Sequence, residues 1–164
     1  MNKPLQSYLH SIADLTRRGD AREESYYFTA DAGLFRRMAA LGGQLIDLHL
    51  LRGPGLSPPL VKYRGTGDDR IQYVRYDPAG QRVHINPNQY FEGVAPEMWE
   101  YPIGGYQVLE KYLKDRRGRR LEDPVRYIHI ATAIARTIDL QREIDRIYPE
   151  VERNVLQRRE SAHP

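Results

Sequence analysis

The segment "RIQYVRYDPAGQRVHINP" at Arg70–Pro87 decides the fold class that the sequence predicts. Each half alternates apolar and polar residues as half-buried strands do. Between the halves, "DPAG" places Asp first, Pro second and Gly fourth, which is the order that favours a type I turn. We therefore predict an antiparallel hairpin formed by Ile71–Asp77 and Gln81–Asn86. The run "PLVKYRG" just upstream predicts a further strand.

Helical patterns surround these strands. Apolar residues at helical spacing predict helices over Leu5–Arg17, Ala32–Leu51 and Tyr106–Arg116 and a long C-terminal helix from Asp123. Asp31 and Asp123 are suited to cap the second and the last of these helices, and Pro124 suits a first helical turn. Pro149 is expected to weaken the last helix and leave a frayed tail. The fold class is therefore α+β: a small antiparallel sheet with a hairpin, flanked by helices and a long C-terminal helix.

Composition narrows the classes of protein that fit. The chain has 164 residues and no cysteine, which excludes disulfides and thiolate metal sites and fits a cytoplasmic protein. No apolar run is long enough to cross a membrane, and the N-terminal residues lack the apolar core of a secretory signal. The five histidines are scattered, so no metal or cofactor is expected.

Catalytic motifs are also missing, so we predict a protein that is not an enzyme. Neither the G-x-x-x-x-G-K-[ST] phosphate loop nor G-x-S-x-G is present, and "RGTGDDR" at Arg64–Arg70 is interpreted as a loop between strands. The string "NPNQY" at Asn86–Tyr90 is similar to a motif of amino-methyltransferases. However, Asn88 replaces its second proline. We interpret this string as the exit from the third strand, with Tyr90 and Phe91 as anchors.

Positive charge is concentrated in the segment Lys111–Arg120, here called the basic segment. It contains six Lys and Arg residues and one Asp, a net charge of +5, whereas the whole chain carries +3 and the remainder therefore −2. Such a cluster is typical of a surface that faces a polyanion. A solvated helix end with favourable cations is the alternative.

The region "INPNQYFEGVAPEMWEYPIGGYQVLEKYLKDRRGRRL" at Ile85–Leu121 resembles the C-terminal target-recognition domain of type ISP restriction–modification enzymes and related large helicase–methylase polypeptides. The residues that carry the resemblance are Ile85-Asn86, Tyr90-Phe91-Glu92-Gly93-Val94, Trp99, Ile103-Gly104-Gly105-Tyr106 and Leu113-Lys114-Asp115-Arg116. Tyr112 departs from the family pattern, in which we expect tryptophan. With "LFRRMAALGGQLIDLHLL" upstream and "TIDLQREID" downstream, the resemblance covers roughly residues 27–148.

The resemblance implies that the chain recognises an asymmetric site in double-stranded DNA, so that a methyltransferase can modify an adenine. Backbone amides of glycines at a helix start can receive a phosphate, Arg or Lys can contact guanine edges and Gln can contact adenine, although phosphate contacts are commoner. The expected DNA-binding residues are Gly104, Gly105, Gln107, Lys111, Lys114, Arg116, Arg117, Arg119 and Arg120. In contrast, Trp99, Tyr106, Leu109 and Tyr112 are expected to pack in the core.

The organisation that follows has three parts. Residues 1–26 form a helical segment similar to the start of the long family chains, residues 27–148 form the DNA target-recognition domain, and residues 149–164 form a flexible tail. Such a chain would be a deletion remnant or a stand-alone specificity piece. Two other functions remain open: a module that docks a methyltransferase or a helicase–nuclease subunit, and an RNA-binding module, which twelve tyrosines would suit.

Overall fold

The computed structural model describes residues 31–160, with side chains as far as Asn154. Its elements in chain order are α1 Ala32–His49, a 3-10 turn Pro54–Leu56, β1 Lys62–Arg64, β2 Arg75–Asp77, β3 Arg82–His84, β4 Tyr90–Glu92, α2 Pro96–Trp99, β5 Pro102–Ile103, β6 Tyr106–Gln107, α3 Val108–Lys114 and α4 Pro124–Glu160. Two compact units result, one comprising Gln44–Asp139 and the other residues 31–43 and 140–160. The helix predicted at Leu5–Arg17 lies outside the described residues.

A four-stranded antiparallel sheet of order β1-β4-β3-β2 forms the centre of the larger unit. The predicted hairpin is confirmed, because β2 pairs with β3 and Asp77 lies opposite Arg82. The α+β prediction is confirmed with it. The sequence analysis missed β4, which inserts between β1 and β3. Tyr90–Glu92 is thus a central strand rather than the exit from the third one.

One face of this sheet forms the core of the larger unit. Alternation places Tyr63, Phe91, Val83 and Tyr76 opposite one another across the four strands. The Phe91 ring packs 4.2 Å from that of Tyr127 on α4, centroid to centroid, and Tyr76 stacks on Trp99 at 4.9 Å. The predicted core positions Trp99 and Leu109 are confirmed as buried, and Tyr112 is half-buried against the same cluster.

Helix α1 begins directly after Asp31, the residue predicted to cap it. The Asp31 Oδ1 atom accepts hydrogen bonds from the backbone N–H groups of Gly33 at 2.7 Å and Leu34 at 3.1 Å, which satisfies donors that lack a partner within the helix. In the smaller unit, Leu34 and Leu41 are buried, and Arg37 lies 3.7 Å from Glu143 of α4.

Helix α4 is longer than predicted, with 37 residues from Pro124 to Glu160. Its start is confirmed, since Asp123 Oδ1 accepts from the N–H of Arg126 at 2.9 Å. The predicted weakening at Pro149 does not end the helix, which continues to Glu160. A proline removes one intrahelical hydrogen bond, and the turns on either side keep theirs. Within residues 31–160 no helix is both long and apolar enough to span a membrane.

Candidate nucleic-acid interface

The basic segment begins on helix α3, which is fixed by its apolar side. Leu109 and Leu113 are fully buried in the core of the larger unit. Residues on the other side of the helix, including Lys111 and Lys114, are therefore exposed. The burial of one side thus presents the positive charges of the other to solvent.

The glycine pair does not start this helix, which corrects the prediction of a helix over Tyr106–Arg116. Gly104 and Gly105 have φ values of 60° and 87° and form the turn between β5 and β6, where helical geometry is excluded. Helix α3 has seven residues and begins at Val108, with Gln107 as its N-cap residue. The predicted phosphate site at a glycine helix start is therefore not formed, and Gln107 precedes α3, whereas Lys111 and Lys114 lie within it.

Tyr106 is a second correction, because it lies on the surface and not in the core. Its side chain belongs to the two-stranded β5–β6 hairpin and is 63% exposed. Strand alternation places Tyr106 and Gln107 on opposite sides of the hairpin.

The turns that follow α3 are held against the loop before β2 by backbone hydrogen bonds. The N–H of Ile71 donates to the Arg119 carbonyl at 2.9 Å, and the N–H of Gly118 donates to the Ile71 carbonyl at 2.7 Å. Beside them, Leu121 N–H donates to the Asp69 carbonyl at 2.8 Å. These bonds bring Arg70 alongside the basic segment, where it forms an antiparallel bridge with Arg120. The sequence analysis missed Arg70, and no local pattern indicates it.

Three arginines at this junction are anchored by neutral acceptors. Arg117 Nε donates to the Gln72 carbonyl at 3.1 Å, an Arg70 guanidinium nitrogen donates to the Gly118 carbonyl at 2.8 Å, and Arg119 donates to the Asp115 carbonyl. A guanidinium has five N–H donors, so one such bond leaves others available. A carbonyl brings no compensating negative charge, and within the described part of the chain only Arg70 of the three also lies near a carboxylate oxygen, that of Asp68 at 3.9 Å. Arg117 and Arg119 are thus oriented at the surface, and these hydrogen bonds do not pair them with a carboxylate.

Arg116 and Arg120 differ from these arginines. The Arg116 guanidinium lies 3.7 Å from the centre of the Tyr112 ring and donates to the Tyr112 carbonyl at 2.9 Å. This half-buried arrangement stabilises the end of α3 and turns the cation toward the protein. Arg120 lies 3.6 Å from the Asp69 carboxylate, which compensates part of its charge.

The two lysines of the basic segment form ion pairs within α3 and its end. Lys111 Nζ lies 2.9 Å from an Asp115 carboxylate oxygen, and Lys114 Nζ lies 3.0 Å from that of Glu110. Exposed pairs at this spacing contribute only about 0.3–0.5 kcal/mol. A phosphate can therefore replace either carboxylate at little cost.

Behind the basic segment lies a buried polar network that fixes Asp69. The Asp69 carboxylate accepts from Gln89 Nε2 at 2.7 Å and from the Tyr63 hydroxyl at 2.9 Å, and Gln89 is buried. The pKa of Asp69 is lowered, chiefly by the hydrogen bond from Gln89 and further by Tyr63 and Arg120. Desolvation of the carboxylate acts in the opposite direction and raises it. Desolvation, then the Asp69 hydrogen bond, raises the pKa of Tyr63. Asp69 is therefore an anchored carboxylate beside Arg120.

The "NPNQ" string has a structural role in this network. Asn86 Oδ1 accepts from the backbone N–H groups of Asn88 at 3.0 Å and Gln89 at 2.8 Å, which closes the turn between β3 and β4. The Asn86 amide donates to Gln89 Oε1 at 2.9 Å. These contacts give Asn86 and Gln89 a structural role in the turn.

The outer face of the sheet carries a second group of charges that sequence reasoning missed. Glu92 accepts from Arg64 and from Arg82 at 3.1 Å each, and these hydrogen bonds, with Arg64 first, lower the pKa of Glu92. Lys62 and Arg75 are exposed on the same face. Among the described residues, no three His, Asp or Glu side chains are grouped to hold a metal ion.

Comparison with known proteins identifies the family. The model for the type ISP C-terminal specificity domain matches residues 27–145, which is more than two thirds of the chain. A search of curated proteins and a search of solved structures each found no match. The matched residues include the four-stranded sheet, the β5–β6 hairpin and the whole basic segment. The chain belongs to the family of type ISP C-terminal specificity domains, whose task is the recognition of DNA targets in restriction–modification systems.

Proposed function

We propose that this chain recognises an asymmetric site in double-stranded DNA so that a methyltransferase can modify an adenine within it. The observation that carries the proposal is the exposed basic segment, in which Arg117 and Arg119 are oriented by neutral carbonyls. Duplex DNA presents a dense row of phosphates that such cations neutralise. A methyltransferase or a helicase–nuclease subunit is the partner that such a module serves.

The residues of the interface have different roles in this proposal. Arg117, Arg119 and Arg120 contact phosphates and set the position of the duplex. Lys111 and Gln107 contact base edges, since Lys pairs with guanine and Gln with adenine in the major groove. Arg116 supports the end of α3, because its cation already lies over Tyr112.

Two alternative functions are weighed against particular observations. The RNA-binding alternative rested on the large number of tyrosines. Several of these rings, however, pack against other aromatic rings of the protein: Tyr63, Tyr76, Tyr112 and Tyr127. Those rings are not available for stacking on bases. A docking module is favoured by Ile46 and Leu50, which are exposed on and just after α1. Each of these two functions corresponds to a distinct outcome of the experiment below.

A selection from a random-sequence duplex library tests the proposal. The full chain is expected to enrich one asymmetric sequence, and the enriched duplex, labelled for fluorescence anisotropy, should be displaced by itself and not by RNA of the same sequence. Failure to enrich any sequence would overturn the proposal in favour of a docking module. Equal displacement by RNA would favour the RNA-binding alternative.

We further propose that the chain supplies recognition without catalysis. Purified protein is expected to transfer no methyl group from S-adenosylmethionine to the enriched duplex, to hydrolyse no ATP and to cut no DNA. The control is the same preparation with a site-specific adenine methyltransferase added, which verifies that the assay detects transfer. Methyl transfer or ATP hydrolysis that co-purifies with the chain through successive columns would contradict this proposal.

A further inference from the structure

The β5–β6 hairpin carries an exposed apolar pair that the core does not use. Ile103 lies directly opposite Tyr106 in the register of this hairpin, so both side chains are on the same side of it. They are 53% and 63% exposed. Large apolar side chains that share one exposed surface mark a site of interaction when polar groups border them.

The tip of the hairpin is built to project from the protein. Positive φ values at Gly104 and Gly105 match the two central residues of a type I′ turn, whose twist suits a two-residue hairpin loop. A Cβ atom added at either glycine would meet nothing within 4 Å. The glycines are therefore required by the turn, and not by close packing, and the tip faces open space.

Positive charge borders the apolar pair. Lys111 Nζ lies 5.3 Å from the centre of the Tyr106 ring, which is within the range of a cation–π contact. Lys111 is also the first residue of the basic segment, so the hairpin adjoins the surface that is proposed to bind DNA. The complementary partner is a polyanion with apolar groups between its charges, and a DNA groove has that chemistry.

We propose that the β5–β6 hairpin enters the major groove of DNA and that Ile103 and Tyr106 determine specificity there by apolar contact with base edges. This inference rests on the proposed function. Two residues per strand span about 7 Å at roughly 3.3 Å each, comparable with a groove depth of about 8.5 Å. The groove admits a two-stranded β-ribbon, and thymine presents a methyl group in it.

The test is a repeated selection with the double variant Ile103→Ala/Tyr106→Ala. The variant should enrich the same site but with relaxed preference at one or two base pairs, and with about tenfold weaker binding to the original site. Its dependence on salt should equal that of the unmodified protein, because no charge is removed. Val125→Ala, a change at another exposed apolar residue (56%), is the matched control and should alter neither measurement.

Different failures have different meanings. If the unmodified protein enriches a site and the folded double variant enriches it with identical base preferences and affinity, the hairpin inference is overturned and the proposed function stands. If the unmodified protein enriches nothing, the proposed function fails and the inference fails with it. The thermal unfolding midpoint of the double variant should equal that of the unmodified protein, which verifies that the exposed substitutions leave the fold intact.

Discussion

Replacing Gly65 with alanine is expected to destabilise the protein by about 3 kcal/mol or more, among the largest effects of any single methyl group in this chain. Gly65 has φ of 90°, and its added Cβ would lie only 1.8 Å from the Asn88 carbonyl oxygen. The backbone conformation alone costs about 1–2 kcal/mol for a residue with a side chain. The obstructing atom belongs to the backbone of the β3–β4 turn, which Asn86 holds closed, so it cannot rotate away.

Urea unfolding measures this effect, and Gly53→Ala is the control. Gly53 has a similar φ of 85°, but the atom closest to its added Cβ is 3.5 Å away, an ordinary contact. With ψ of 175°, Gly53 lies in a region that is essentially restricted to glycine, so its substitution should cost the backbone term alone, about 1–3 kcal/mol. Equal losses for the two variants would show that the close approach of the two loops does not constrain Gly65.

Replacing Arg117, Arg119 and Arg120 together with alanine is expected to weaken binding of the enriched duplex by about a hundredfold or more at 0.1 M salt. Each phosphate contact releases about 0.9 of a counterion, which at that salt concentration contributes nearly a tenfold factor in affinity. Base preferences should persist, because phosphate contacts position the duplex and do not distinguish its sequence.

A charge-matched control separates the segment from the net charge of the chain. The triple variant Lys62→Ala/Arg75→Ala/Arg126→Ala removes the same charge from exposed positions outside the basic segment. It should lose much less affinity. A comparable loss in the control would show that the effect is a general attraction between a cationic protein and DNA.

Local chemistry made part of the fold predictable. Alternation and the "DPAG" turn predicted the β2–β3 hairpin, and Asp31 and Asp123 predicted two helix starts, since each signal lies within a few residues of its effect. Strand β4 was missed because Tyr90 and Phe91 were interpreted as the exit from the third strand, and its pairing with β1 joins segments far apart in the chain. The adjacent aromatic residues Tyr90 and Phe91, which are common in strands, were the signal that could have indicated it.

The candidate site was predictable to a similar extent. The cluster of charges is visible in the sequence, but the backbone bonds that bring Arg70 to it join segments far apart in the chain. The glycine pair was ambiguous for another reason. Two glycines suit both a helix start and a type I′ turn, and only the pairing of Ile103 with Tyr106 selects the turn.

The central claim is that the basic segment binds duplex DNA, and the salt dependence of binding tests it most directly. The dissociation constant of the enriched duplex is measured at several salt concentrations for the unmodified protein, the triple variant of Arg117, Arg119 and Arg120, and the charge-matched control. We predict a log–log slope of affinity of roughly −0.9 per phosphate neutralised, about one unit flatter for each of the three arginines that contacts phosphate. The control should keep the original slope. A slope that the arginine substitutions leave unchanged would contradict the account and identify the basic segment as a solvated helix end.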